Sequence, residues 1–137
     1  MAKRPVVGVA CILVKGNKVL LGKRKGATGE GTWAFTGGHL EFNETPEHAV
    51  VRETMEEAGL KIRSPRFVAI TNDISVKERT HFVTLFFLSK YRGGKVKLME
   101  PKRCEKWEWF EWNKLPKPLF FPVRNLLKQN FNPKDFA

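Results

Sequence analysis

The chain is poor in cysteine and has no long apolar run, and each shortage removes a class of protein. Cys11 and Cys104 are the only cysteines in 137 residues, 93 positions apart and without metal-ligand spacing, so neither a disulfide framework nor a Cys/His zinc site is expected. Both read as reduced thiols. A chain of this length with 42% hydrophobic residues can bury a core without such cross-links. The apolar run Val6 to Val14 has nine residues, ends at Lys15 and is followed by no A-x-A cleavage pattern. Despite the basic opening Met1 to Pro5, it reads as a first strand rather than a signal peptide or membrane span, and a soluble, cytoplasmic protein is expected. There is no internal repeat and no linker, so residues 1–137 are expected to form one domain with no membrane partner.

Acidic residues are also scarce, with 14 Asp/Glu against 25 Lys/Arg and a formal net charge of +11. Such a balance invites a nucleic-acid reading. The basic clusters at Lys23 to Lys25, Lys95 to Lys106 and Lys114 to Lys128 are spread, however, and no helix-turn-helix, zinc-finger or RRM signature would place them in a groove. Direct nucleic-acid binding is therefore not expected. The few acids are concentrated: residues 41–57 hold six of them and one Arg, while outside that window 24 basic residues face eight acids. A local acidic patch in a basic field suits a metal site that handles a polyanion.

That window holds a spaced motif: Gly38, five residues, Glu44, seven residues, Arg52-Glu53, then Glu56-Glu57 and Gly59-Leu60. Thr45 as N-cap, Pro46 at the first helical position and Gly59 at the end predict a helix of about three and a half turns. At 100° per residue, Val51, Thr54, Met55 and Ala58 form an apolar stripe suited to a core, with Glu53, Glu56 and Glu57 on the other side. Three carboxylates at i, i+3 and i+4 repel by a few tenths of a kcal/mol per pair, roughly, unless a cation compensates. Mg²⁺ prefers carboxylate oxygens, takes one or two from the protein and keeps open positions for phosphates and water. Arg52, one turn before Glu56, is placed to orient that carboxylate.

The motif resembles the Nudix box, with every glycine, arginine and glutamate at the family spacing. Thr54 is the one departure within it, where the family usually has an aliphatic residue. The resemblance implies a Nudix-type α/β/α sandwich, in which a mixed β-sheet lies between helices and the box forms a loop-helix-loop. It implies Mg²⁺, with Mn²⁺ able to substitute, held by Glu53, Glu56, Glu57 and the Gly38 carbonyl. Arg52 joins these glutamates as the catalytic set, and Glu44 holds the box loop. Glu53 is the first choice of base, with Glu100 or Glu105 as the alternative from a later loop.

Beyond the box, Leu21 to Gly26, Gly37 to Phe42, His81 to Thr84, Glu100-Pro101 and Trp107 to Trp109 resemble the MutT-type branch that hydrolyses nucleoside triphosphates, in particular thiopurine and deoxynucleoside triphosphate diphosphatases. That likeness places Arg24, Gly37 and Gly38 near the phosphates, and Thr84 and the segment Phe120-Phe121-Pro122-Val123 around the base. Thr36 stands where a proline commonly precedes the two glycines, and Pro122 where the branch has a glycine. The expected reaction is Mg²⁺-dependent hydrolysis of a nucleoside triphosphate to monophosphate and pyrophosphate. The alternatives are hydrolysis of ADP-ribose or a dinucleoside polyphosphate, and a nucleotide-binding module without catalysis. Phe120, Phe121 and the tryptophans would serve equally as core or as a subunit interface, which leaves a homodimer open. His39 and His81 read as structural.

Alternation and turn signals add strands at 6–14 and 19–21 around a Lys15-Gly16-Asn17 turn, then at 33–35, 66–74, 81–89, 94–98 and 107–112. Gly26 to Gly31 is expected as a flexible loop, Gly37-Gly38 as a turn of close approach, and 118–130 as a second helix with Leu119, Val123, Leu126 and Leu127 inward.

Overall fold

The computed structural model describes residues 3–26 and 28–136. Met1, Ala2, Ala137 and Ala27, which falls within the expected glycine loop, lie outside the described residues. The chain runs β1 (Val6–Lys15), β2 (Lys18–Arg24), β3 (Trp33–Ala34), β4 (Thr36–His39), α1 (Pro46–Ala58), β5 (Arg66–Ser75), β6 (Thr80–Lys90), β7 (Cys104–Glu111) and α2 (Phe121–Leu127). One mixed sheet has the order β3-β2-β1-β6-β5, with β4 also paired to β1 and β7 to β2. Only β1 and β6 are parallel among these pairs, in the register Gly8 to Thr84 and Ala10 to Phe86.

The period-two alternation of β1 explains the sandwich. Val9, Cys11 and Leu13 point to one side and pack with Ala49, Val50 and Ala58 of α1 and with Phe87. Ile12 points to the other side and packs with Phe35, Phe86, and Val123 and Leu126 of α2. One continuous apolar strand therefore serves two cores, as a strand covered on both faces must. This is the Nudix-type α/β/α architecture expected from the sequence.

Four local expectations are corrected. Gly37-Gly38 lies in a strand, with Gly37 opposite Ala10 and Gly38 opposite Val9. A Cβ on Gly37 would overlap the Val9 carbonyl oxygen, so the close approach that excludes a side chain there is to the backbone of β1 rather than to a metal or phosphate. Helix α1 begins and ends at its expected caps, since the Thr45 side chain accepts from the His48 N–H at 3.1 Å and Gly59 is left-handed at φ 66°. Its inner face differs, however: Ala49, Val50, Thr54 and Ala58 are buried, whereas Met55 is exposed. Residues 94–98 form no strand, because the Lys97 N–H donates to the Ala58 carbonyl at 2.9 Å and caps α1 instead. The second helix is shorter than 118–130, running from Phe121 to Leu127.

Thr36 and Thr54 meet in the interior. Their hydroxyls lie 2.9 Å apart, and Thr54 also donates to the Val50 carbonyl at 2.8 Å. Both residues are buried, beside the Cys11 thiol, which burial pushes up to about 12. Cys11 and Cys104 are both free, as expected. Among the described residues, no helix is long and apolar enough to cross a membrane.

Candidate functional site

Helix α1 and strand β4 bring the motif together. Arg52 is the hub: its Nε donates to Glu44 Oε2 at 2.7 Å and its Nη2 to Glu44 Oε1 at 2.9 Å, a bidentate pair that ties the preceding loop to the helix. Its Nη1 donates to Glu53 Oε1 at 2.6 Å and to Glu56 Oε1 at 2.7 Å. Hydrogen bonding from Arg52 is the main reason Glu44 is held at about 2, and the same bonds, accepted by Glu44, are the main reason the Arg52 guanidinium is raised.

Glu57 lies deeper. Its Oε1 accepts the Gly37 N–H at 2.7 Å, while its own carbonyl accepts the Trp107 indole N–H at 3.2 Å. Burial pushes its carboxyl up to about 8, the Gly37 N–H opposes this, and the charges of Glu53 and Glu100 add to the rise. Glu53 is also raised, first by burial. A Cβ on Gly38 would overlap Glu53 Oε2, so the glycine leaves the space that this carboxylate occupies.

These observations test the site against a divalent cation. Among the described residues, no group of three or more His, Cys, Asp or Glu side chains converges so as to hold a metal ion. Mg²⁺ does not require one, since it commonly takes one or two carboxylates and keeps several waters. Two half-buried, mutually repelling carboxylates, Glu53 and Glu57, with the exposed Glu56 and a glycine backbone beside them, fit that ion. Of the two later glutamates, Glu100 acts electrostatically on Glu53 and Glu57, whereas Glu105 pairs with Lys23 at 3.5 Å.

A cavity of about 110 Å³ opens on the other side of Gly37-Gly38. Arg24, Gly37, Gly38, Thr84, Phe120, Pro122 and Val123 line it. The Arg24 guanidinium stacks on the Phe120 ring at 4.2 Å, and its Nε donates to the Thr28 carbonyl at 2.6 Å. Burial lowers its pKa, opposed by the charge of Glu57. Phe121 is not on the cavity wall and packs edge-on against Phe120 at 5.0 Å. Gly8, Phe82 and Phe86 also line the cavity and were not singled out from sequence, and His39, read from sequence as structural, lies on its wall with them. The parallel register of Gly8 with Thr84 and the shared face of Phe82, Thr84 and Phe86 on β6 carry that signal, but it becomes legible only once β1 and β6 are known to be neighbours. The His39 ring lies tilted against Phe82 with centroids 5.6 Å apart, and His81 Nε2 lies 2.6 Å from Asn72 Oδ1. A larger cavity of about 480 Å³ at the β1–β2 hairpin contains none of the expected site residues.

The model of the NUDIX domain matches residues 2–129. The chain belongs to the Nudix family. This Nudix hydrolase is similar to the ADP-ribose pyrophosphatase of Methanocaldococcus jannaschii, with 36% identity over 116 residues, 85% of this chain and 68% of that protein. It is also similar to the NAD-capped RNA hydrolase NudC of Photorhabdus laumondii, with 32% identity over 109 residues. That match takes in 77% of this chain but 40% of the relative, so the chain spans less than half of NudC. The crystal structure of a MutT NUDIX hydrolase from Burkholderia pseudomallei matches with a TM-score of 0.87 and 32% identity, covering 94% of this chain and 100% of that one.

Proposed function

We propose that the protein is a Mg²⁺-dependent pyrophosphohydrolase that cleaves a nucleoside or deoxynucleoside triphosphate to the monophosphate and pyrophosphate. One observation carries this reading: Gly37-Gly38 is shared by the carboxylate cluster and the cavity, with the Gly37 N–H on Glu57 and both glycines on the cavity wall. A base in the cavity would therefore present its phosphates to Glu53, Glu56 and Glu57. The cavity's volume of about 110 Å³ is well below the roughly 300–1,000 Å³ that encloses a whole ligand. It suits one base with the polyphosphate left outside.

In this reading Glu53, Glu56 and Glu57 would hold Mg²⁺, which would supply phosphoryl polarisation and a water of lowered pKa, while the Gly38 carbonyl, which faces Gly8 of β1, is left out of the set. Arg52 fixes the orientation of Glu53 and Glu56. Glu53 is the base, and Glu100 is favoured over Glu105 as its substitute because it is the one that acts electrostatically on Glu53 and Glu57. Arg24, stacked on Phe120, sits where it can balance charge on the phosphates next to the base.

A second reading, hydrolysis of ADP-ribose, is favoured by the likeness to the Methanocaldococcus jannaschii pyrophosphatase. The two are separated by incubating the protein and Mg²⁺ with ribo- and deoxynucleoside triphosphates and with ADP-ribose, and identifying products by ³¹P NMR. Pyrophosphate with monophosphate is expected, with ADP-ribose turned over poorly. Release of orthophosphate alone, or a higher kcat/KM for ADP-ribose, would overturn the triphosphate reading.

A further inference from the structure

We infer that Thr84 is an acceptor-only group on the cavity wall, locked in that state by the buried Asp73, and that it selects nucleotides whose base carries an exocyclic amine. The inference rests on the reading of this cavity as the base pocket. Asp73 is fully buried in β5 and receives three hydrogen bonds. Thr84 Oγ1 donates to its Oδ2 at 2.6 Å, Thr71 Oγ1 donates to the same oxygen at 2.9 Å, and Asn125 Nδ2 of α2 donates to Oδ1 at 2.9 Å.

A threonine hydroxyl has one proton and two lone pairs. The Thr84 proton is committed to a carboxylate, in a short bond of the charge-assisted kind. What Thr84 offers the cavity is therefore a lone pair only. The neighbouring atoms reinforce that polarity. Gly8 lies opposite Thr84 in the parallel β1–β6 register, and a Cβ built on it would stand 3.7 Å from Thr84 Oγ1 and 3.6 Å from the Gly38 carbonyl oxygen. The missing side chain thus opens space beside two oxygens, while Phe82, Phe86 and Phe120 supply apolar walls. A base amine entering this space satisfies Thr84. A base carbonyl or bare ring edge leaves it unpaired, which a buried site rejects. Asp73 acts through Thr84 and is a positioning residue.

The test uses base pairs that differ by one amine: ATP against purine riboside triphosphate, and GTP against ITP. Dissociation constants are measured by calorimetry in a Glu57→Gln background to prevent turnover, so the result stands even if triphosphate hydrolysis itself is disproved. Expected is about tenfold or tighter binding of the amino member in at least one pair. Thr84→Val, which keeps shape but removes the oxygen, should bring that ratio to within about twofold, while Thr84→Ser retains it. Thr71→Val removes a donor from the same Asp73 oxygen but nothing from the cavity wall, and should leave the ratio unchanged. Circular dichroism establishes that each variant is folded. Equal affinities in both pairs, no nucleotide binding, or a preference that Thr84→Val keeps would overturn the inference.

Discussion

Glu57 is the carboxylate on which the site's chemistry can be separated from its architecture. Its side chain touches the Gly37 N–H, and its backbone carbonyl is independently tied to Trp107. Replacing it with Gln keeps an oxygen for the Gly37 bond and removes the charge. Turnover at saturating Mg²⁺ should fall by roughly a hundredfold or more while the melting temperature stays near that of the wild type. Wild-type kcat would exclude Glu57 as a ligand. Gly38 provides the converse test. A Cβ there displaces the Glu53 carboxylate rather than backbone, so Gly38→Ala should lose most activity yet remain folded, as read by kcat and circular dichroism. A folded, fully active Gly38→Ala would show that Glu53 can leave its place without consequence.

At the scale of elements, α1 owes its position to charge as well as to its buried face. Arg52 clamps Glu44 bidentately, and this holds the Glu44 carboxyl at about 2, below the unfolded value of about 4.3. Because the folded value is the lower one, the pair stabilises the fold fully above about pH 4.3 and loses that contribution as pH falls toward 2. Glu44→Gln should therefore flatten the dependence of melting temperature on pH across that window. An unchanged acid limb would show that the clamp does not stabilise the fold. The ends of α1 were legible in the sequence because caps are local: Thr45, Pro46 and Gly59 act within one turn. Its inner face was less legible. Val50 and Met55 are both apolar, and which of them turns inward depends on how the helix docks on β1 and β4, not on periodicity. The same holds for residues 94–98, where the Lys97 N–H goes to a helix end that only the folded chain supplies. The carboxylates were readable from spacing, whereas Asp73 and Gly8 depend on strand neighbours distant in sequence.

The whole molecule carries +11, with six of its 14 acids gathered in residues 41–57 and 24 of its 25 basic residues outside them. Such a distribution raises the encounter rate with an anionic substrate, and the effect weakens as salt screens it, with a Debye length of about 10 Å at 0.1 M. Raising ionic strength at fixed free Mg²⁺ should lower kcat/KM for the triphosphate severalfold and change kcat little. Equal losses in both would mean that salt acts on the chemistry rather than on capture. The α/β/α layering was legible as a class from one strand-rich chain with two helices. The parallel pairing of β1 with β6, which creates the cavity, was not, because the intervening chain, residues 16–79, carries no local signal of it.

Thr36 and Thr54, the two departures nearest the box, are one feature in the folded protein, since each hydroxyl is the other's partner. A change at Thr54 alone to valine leaves the Thr36 hydroxyl buried without that partner, at a cost of about 1–3 kcal/mol, whereas exchanging both for valine removes the polar pair at little loss. The double variant should melt above the Thr54→Val single variant, and strict additivity of the two changes would disprove the coupling. Substitution at these positions thus has an unstable midpoint. A path through sequence space that removes one threonine is favoured to remove the other next, so the two residues travel as a unit even though 17 positions separate them in the chain.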